Sequence, residues 1–134
     1  EKEDVIWLNG DVVFEKDLLP QIINCSQSCM AVNSSSVGEE EIKYNVFPDG
    51  TINEVSKGVK QPLGEAVGIN KIIASDLPEL IINLGKCKNQ DYFERGLELS
   101  IQSGMKVIPK DISNYLCMEI DFLEDLSNIN NQLK

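Results

Sequence analysis

The chain has 134 residues, one domain's worth, and its 42% apolar content is enough to bury a core without disulfides. Its 22 acidic and 12 basic side chains give a net charge of −10, which excludes broad binding to a nucleic-acid backbone but not a small phosphorylated ligand bridged by a divalent cation. Histidine is absent, which excludes histidine general-base chemistry, serine triads and His-containing zinc sites.

The predicted elements follow in chain order. Val5-Ile6-Trp7-Leu8 reads as a buried strand that Asn9-Gly10-Asp11 stops. Residues 15–24 carry Leu18, Leu19, Ile22 and Ile23 at helical spacing. Residues 29–32 form a second short strand, and 33–36 a polar loop. Residues 41–47 alternate, with Ile42, Tyr44 and Val46 on one face and Glu41, Lys43 and Asn45 on the other. Pro48-Asp49-Gly50 turns the chain, and 51–55 returns as the partner strand of a β-hairpin. A loop over 57–64 leads to a strand over 65–73. Asp76-Leu77-Pro78-Glu79 starts a helix, with Asp76 as cap and Glu79 reaching back; it runs to about Leu84 and Gly85 ends it. Residues 91–103 form another helix, closed by Gly104. Residues 105–108 and 116–120 are strand candidates, and 121–133 a last helix with Asp121 and Glu124 at capping-box spacing. This order predicts an α/β fold with a mixed sheet. The first strand looks central yet has nothing before it, so upstream structure or another chain is expected to cover its edge, and self-association through that edge is an expectation.

No apolar run approaches the roughly 20 residues of a membrane span. Nothing at the start reads as a signal peptide, so the expected compartment is the cytoplasm. There Cys25, Cys29, Cys87 and Cys117 stay reduced; Cys25 and Cys29, spaced C-x₃-C with no second pair, make a poor zinc pattern and read as core thiols. Sequons at Asn24 and Asn33 read as chance.

Three features could carry chemistry. Asp11 follows the carboxyl end of a strand, the edge where ligands of open α/β sheets gather, and Gly10 admits close approach; the plainer reading is a polar turn residue. Glu119 and Asp121, two apart on a strand, could present paired carboxylates to Mg²⁺, although Asp121 also suits a helix N-cap. Lys57 and Lys60, in the loop before Gly64-Glu65, could pair with a phosphate or simply be solvated. Tyr92, Phe93, Leu97 and Ile101 read as core, Glu39-Glu40-Glu41 as a solvated face, and Trp7 as packing.

Two segments resemble one family. Trp7-Leu8-Asn9-Gly10-Asp11 is similar to an L-x-G-D strand end, and the segment from Cys117 to Leu126 to a closing E-I-D-T-x-E-D-L motif, of the sugar-1-phosphate and alcohol-phosphate nucleotidyltransferases. Glu54-Val55-Ser56-Lys57 and Gly64-Glu65-Ala66-Val67-Gly68-Ile69 look like the family's middle strands, in the expected order. The resemblance implies a partial Rossmann-like nucleotidyltransferase fold, a mixed sheet with flanking helices and a β-hairpin. Residues 1–134 would be its C-terminal, acceptor- and metal-binding part, with the first, nucleotide-binding half missing. It implies that a phosphate oxygen of a sugar, alcohol or phosphonate acceptor attacks the α-phosphorus of an NTP, with Mg²⁺ bridging the phosphates and pyrophosphate leaving. Asp11 and Asp121 match the family's metal-binding aspartates, Glu119 the neighbouring acid, and Lys57 the lysine on the acceptor's phosphate. Glu65 and Gly68 match positions that read the acceptor. The nearest branch is phosphocholine-cytidylyltransferase-like, so CTP is the expected nucleotide. The family's G-x-G-x-R loop and Lys-Pro segment occur nowhere in the chain; the resemblance places them about a hundred residues upstream. The chain alone is therefore expected to be inactive. Two other readings stand beside this one: a noncatalytic regulatory or assembly module with the same fold, and an unrelated α/β binding domain.

Overall fold

A computed structural model describes residues 3–120 and 123–133, and the side chain of Leu123 is not among what it describes. The elements are β1 (Val5–Leu8), β2 (Val12–Phe14), α1 (Leu18–Ile23), β3 (Cys29–Asn33), β4 (Lys43–Val46), β5 (Ile52–Ser56) and β6 (Gly64–Ile72). A 3₁₀ turn (Ala74–Asp76) then leads into α2 (Leu77–Gly85), α3 (Phe93–Gln102), β7 (Ile108–Asp111), β8 (Cys117–Glu119) and α4 (Leu123–Leu133). The fold is α/β with a mixed sheet and flanking helices. No helix among the described residues is long and apolar enough to cross a membrane.

The nine-residue β6 is the hub of the six-stranded sheet, ordered β5-β4-β6-β3-β7. One edge of β6 carries β3 antiparallel, from Asn33↔Glu65 to Cys29↔Lys71. Its other edge is shared: β4 pairs at Lys43↔Glu65, and β1 pairs from Leu8↔Ile69 to Val5↔Ile72. β7 lies parallel to β3, with Cys29 opposite Ile108. Because successive strand residues point to opposite faces, β3 feeds two cores. Met30 and Val32 join Ile72, Leu80, Leu97 and Ile101 under α2 and α3. Cys29 and Ala31 join Leu18, Ile22, Ile69 and Ile112 under α1. A strand buried on both faces reads as a continuous apolar run, which is how Cys29-Met30-Ala31-Val32 reads.

The hairpin forms as its alternation requires. Tyr44 faces Val55, and Gly50 turns at φ +89°. Asp49 accepts from the Thr51 backbone N–H at 2.9 Å, and this bond holds its carboxyl below the usual range. The outer edge of β5 is blocked: Ile52 N–H donates to Val107 C=O at 2.8 Å, and Val55 N–H donates to Glu98 Oε2 at 3.1 Å. A blocked edge resists pairing with another chain.

Several expectations need correction. β1 is an edge strand: no described strand pairs with its outer side, and Trp7 and Leu8 are 41% and 45% exposed. Lys43 is buried rather than outward, its ammonium donating to the carbonyls of Glu39, Glu41 and Lys57. The strand expected over 105–108 starts instead at Ile108, because Val107 C=O is taken by β5 and pairing with β3 begins one residue later. Pro109 is tolerated there because β7 lies at the sheet edge. Asp76 does not cap α2 with its side chain, which instead accepts from the buried Ser28 hydroxyl at 2.7 Å. The preceding 3₁₀ turn runs straight into α2 and leaves Asp76 helical (φ −92°, ψ −16°), where the cap bond is not made. Gly85 lies within α2, and Lys86 is its C-cap. Tyr92 is exposed at the N-cap of α3, while Phe93 packs against the core. The strand β2 was not anticipated.

One buried group stands out. Asn70, 1% exposed in mid-β6, has neither its amide nitrogen nor its amide oxygen hydrogen-bonded among the described residues. A buried amide without partners costs its desolvation with no return. Asn70→Leu, of similar shape, is expected to raise unfolding free energy by about 1 kcal/mol in urea titration; a loss of stability would show that the amide has a partner in solution.

Candidate active site

The site is assembled where β1 ends. Asn9 N–H donates to Gly68 C=O at 2.9 Å, carrying the β1–β6 pairing one residue further. Gly68 has φ +82°, and a Cβ there would stand 2.5 Å from Asn9 Nδ2, so only glycine fits. The Asn9 side-chain oxygen accepts from the Trp7 indole at 3.3 Å. Trp7 in turn stacks on Phe93 of α3, with ring centroids 4.2 Å apart and planes 6° from parallel.

After the turn the chain enters β2, which pairs antiparallel with β8: Val12 faces Glu119 and Phe14 faces Cys117. Ile120 N–H donates to Asp11 C=O at 2.7 Å. The backbone at Asp11 thus meets the segment that carries Glu119, although over a hundred residues of chain separate them. Asp121 lies outside the described residues.

Three cavities adjoin at this point. The first, about 520 Å³, lies between β6, β8 and the first turn of α4. Its lining includes the carboxylates Glu41, Glu65, Glu94, Glu119, Glu124 and Asp125, and no described lysine or arginine. The second, about 490 Å³, is lined by Trp7, Asp11, Glu40, Lys57, Tyr92 and Phe93 among others. Asn9, Glu41, Ile42, Glu94 and Glu119 line both. A third, about 350 Å³, continues past Lys57 and Tyr92 toward Arg95 and Glu98.

Asp11 and Lys57 share the second cavity, Glu65 and Gly68 line the first, and Glu119 belongs to both. Lys57 is 4.0 Å from the Glu40 carboxylate and 5.1 Å from the centre of the Tyr92 ring. The Tyr92 hydroxyl raises its pKa, and Glu40 and Glu41 add to this. Glu65 accepts from the Gly38 backbone N–H at 3.2 Å. Burial, and then the charge of Glu65, pushes the Cys117 thiol up to about 11.

The residue that the sequence reading missed is Glu94. It is 5% exposed, lines all three cavities, and burial raises its pKa above the carboxyl value of 4.5. Its signal was visible: it lies within the apolar stripe of α3 marked by Phe93, Leu97 and Ile101, where a carboxylate has no packing reason to be. Glu40 is solvated as read, its side chain 92% exposed, and with the half-buried Glu41 it also lines the second cavity. Among the described residues no three metal-ligating groups converge on one point.

No family model matches the chain, and no curated protein matches it. Solved structures do. It is similar to the inositol-1-phosphate CTP transferase of T. maritima, with TM-score 0.72, 19% identity, and coverage of 99% of this chain and 55% of that one. It is similar to the CTP:phosphocholine cytidylyltransferase of Streptococcus pneumoniae, with TM-score 0.69, 14% identity, and coverage of 96% and 57%. It is also similar to a nucleoside-diphosphate-sugar pyrophosphorylase of Vibrio cholerae, with TM-score 0.66, 12% identity, and coverage of 97% and 57%. The chain spans just over half the length of these structures, and over that span it has the nucleotidyltransferase fold.

Proposed function

We propose that the chain is the acceptor- and metal-binding part of a Mg²⁺-dependent nucleotidyltransferase whose acceptor is a phosphorylated alcohol carrying a positive charge. The observation that carries the reading is the β2–β8 register, which joins Asp11 to the Glu119 segment beside a cleft where carboxylates far outnumber cations. Two of the similar structures are cytidylyl transferases, which favours CTP as the nucleotide.

In this reading a phosphate oxygen of the acceptor attacks the α-phosphorus of CTP and pyrophosphate leaves. Lys57 pairs with the acceptor's phosphate, and Asp11 and Asp121 hold Mg²⁺, which when bound offsets the charge of the reacting phosphates. Glu119 and Glu65 orient the acceptor. Glu94, Glu40, Glu41 and the aromatic wall of Trp7 and Tyr92 favour a cationic headgroup, by charge and by ring-face attraction.

The test is pyrophosphate release from CTP and Mg²⁺ by the full-length natural protein. Phosphocholine is expected to outperform the uncharged inositol-1-phosphate by roughly tenfold in kcat/KM, the worth of one cation–aromatic or ion-pair contact in a partly screened cleft. Pyrophosphate release with neither acceptor nor with a sugar phosphate would overturn the catalytic reading and leave the noncatalytic module.

A further inference from the structure

Away from the cleft, on the α1 face of the sheet, two thiols meet. Cys25 follows the end of α1 and Cys29 opens β3. The Cys25 thiol donates to Gln21 C=O at 3.3 Å and the Cys29 thiol to Ile22 C=O at 3.9 Å, so both sulfurs sit on neighbouring carbonyls of one helical turn. The Cys29 thiol lies close enough to Cys25 to feel its charge. Cys25 is half-buried, whereas Cys29 is fully enclosed in the core cluster of Leu18, Ile22 and Ile69. The buried Lys71 reaches the same spot from β6, its ammonium donating to Ile23 C=O at 2.7 Å and to Cys25 C=O.

We propose that Cys25 and Cys29 are a redox-responsive dithiol pair that a small-molecule disulfide converts to an intrachain bridge, pinning the end of α1 to β3. The exposures set the order of events. Cys25, which solvent reaches, attacks one sulfur of oxidised glutathione as the thiolate; a Cys25–glutathione disulfide forms and one glutathione thiolate leaves and takes up a proton. Cys29 then attacks Cys25 Sγ, its proton passing to the departing glutathione thiolate, so that the second glutathione leaves as a thiol. Both protein thiols are oxidised and one oxidised glutathione is reduced to two thiols, so electrons and protons balance. Burial, reinforced by Cys25, pushes the Cys29 thiol up to about 12, against the opposing charge of Lys71. Cys29 is therefore inert to reagents in solution and acts only on a partner already delivered beside it. The other two cysteines lie elsewhere: Cys87 donates to Asn83 C=O at 3.4 Å, and Cys117 lines the first cavity.

The experiment is incubation of the folded chain with oxidised glutathione, alkylation, and peptide mapping. The expected result is loss of two of the four alkylatable thiols, with Cys25 linked to Cys29, and full recovery on reduction. Cys29→Ala should stop at the first step and accumulate glutathione on Cys25, while wild type accumulates none. Wild type that keeps all four thiols alkylatable, or that holds a stable glutathione adduct on Cys25, overturns the proposal. The wild-type readout needs no variant to fold and is independent of any transferase activity.

Discussion

Asp11→Asn, made in the full-length natural protein, is expected to cut Mg²⁺-dependent pyrophosphate release by about a thousandfold while leaving the fold intact. The expectation rests on two separable properties of Asp11. Its side chain is exposed and makes no hydrogen bond or ion pair among the described residues, while its backbone carbonyl accepts from Ile120. Asparagine keeps that backbone bond and the shape, so unfolding free energy should stay within about 0.5 kcal/mol of wild type. What disappears is one negative charge at the junction of β1 and β2, where the proposed metal shell forms. Removing a single group that stabilises charge in a transition state typically costs 10²–10³-fold, and loss of a metal ligand is at the upper end. The two measurements are kcat and urea unfolding on the same sample. Activity within about twofold of wild type would remove Asp11 from the reaction; lost activity accompanied by lost stability would make it structural.

Glu94→Gln is expected to have the opposite signature: a more stable protein that handles a cationic acceptor worse. Burial raises the Glu94 pKa above its ordinary 4.5, and among the described residues its carboxylate accepts only from its own backbone N–H. The folded state therefore binds more protons than the unfolded state between 4.5 and the raised value. Stability contributed by the protonated group is complete below 4.5 and is lost as pH rises through the raised value. At pH 7 the fold carries the cost of a buried charge, and Gln removes that charge. The variant should gain roughly 1–3 kcal/mol at pH 7, the scale of an uncompensated buried polar group, and the gain should shrink as pH falls toward 4. Denaturation curves across pH 4–8 read this directly. A variant less stable than wild type at pH 7, or a difference that ignores pH, would show that Glu94 is compensated. A site that keeps such a group at a cost in stability is behaving as functional sites do.

Local patterns in the sequence carried much of the fold. The alternation of Ile42, Tyr44 and Val46 around Pro48-Asp49-Gly50 predicted the hairpin, and the short apolar run Cys29–Val32 marked a strand, whose cover on both faces only the structure shows. The missing elements are those whose reason is distant. β2 has three residues and no periodicity to read; it is a strand because β8, more than a hundred positions on, pairs with it. Asp76 satisfied every local rule for a cap, yet the buried Ser28 hydroxyl competed for its carboxylate and won. The site followed the same division. Asp11, Lys57, Glu65, Gly68 and Glu119 were singled out by type and by family resemblance, and the structure places them around adjoining cavities. Trp7 was read as packing and Glu94 was not singled out, since periodicity says which side of a helix or strand a residue takes but not what cavity lies above it.

The position of β6 has an energetic consequence for the cleft. β6 is held by strands along both edges and by cores on both faces, so its amides should open only with the whole domain. The β2–β8 ribbon is two strands of three residues each, too little to persist alone. The floor of the cleft, with Glu65 and Gly68, and its carboxylate wall at Glu119 thus belong to cooperative units of unequal stability. A ligand that touches both welds them into one unit, so part of its binding energy is spent on holding the ribbon shut. A looser acceptor would lose affinity to that closure before it lost a single contact.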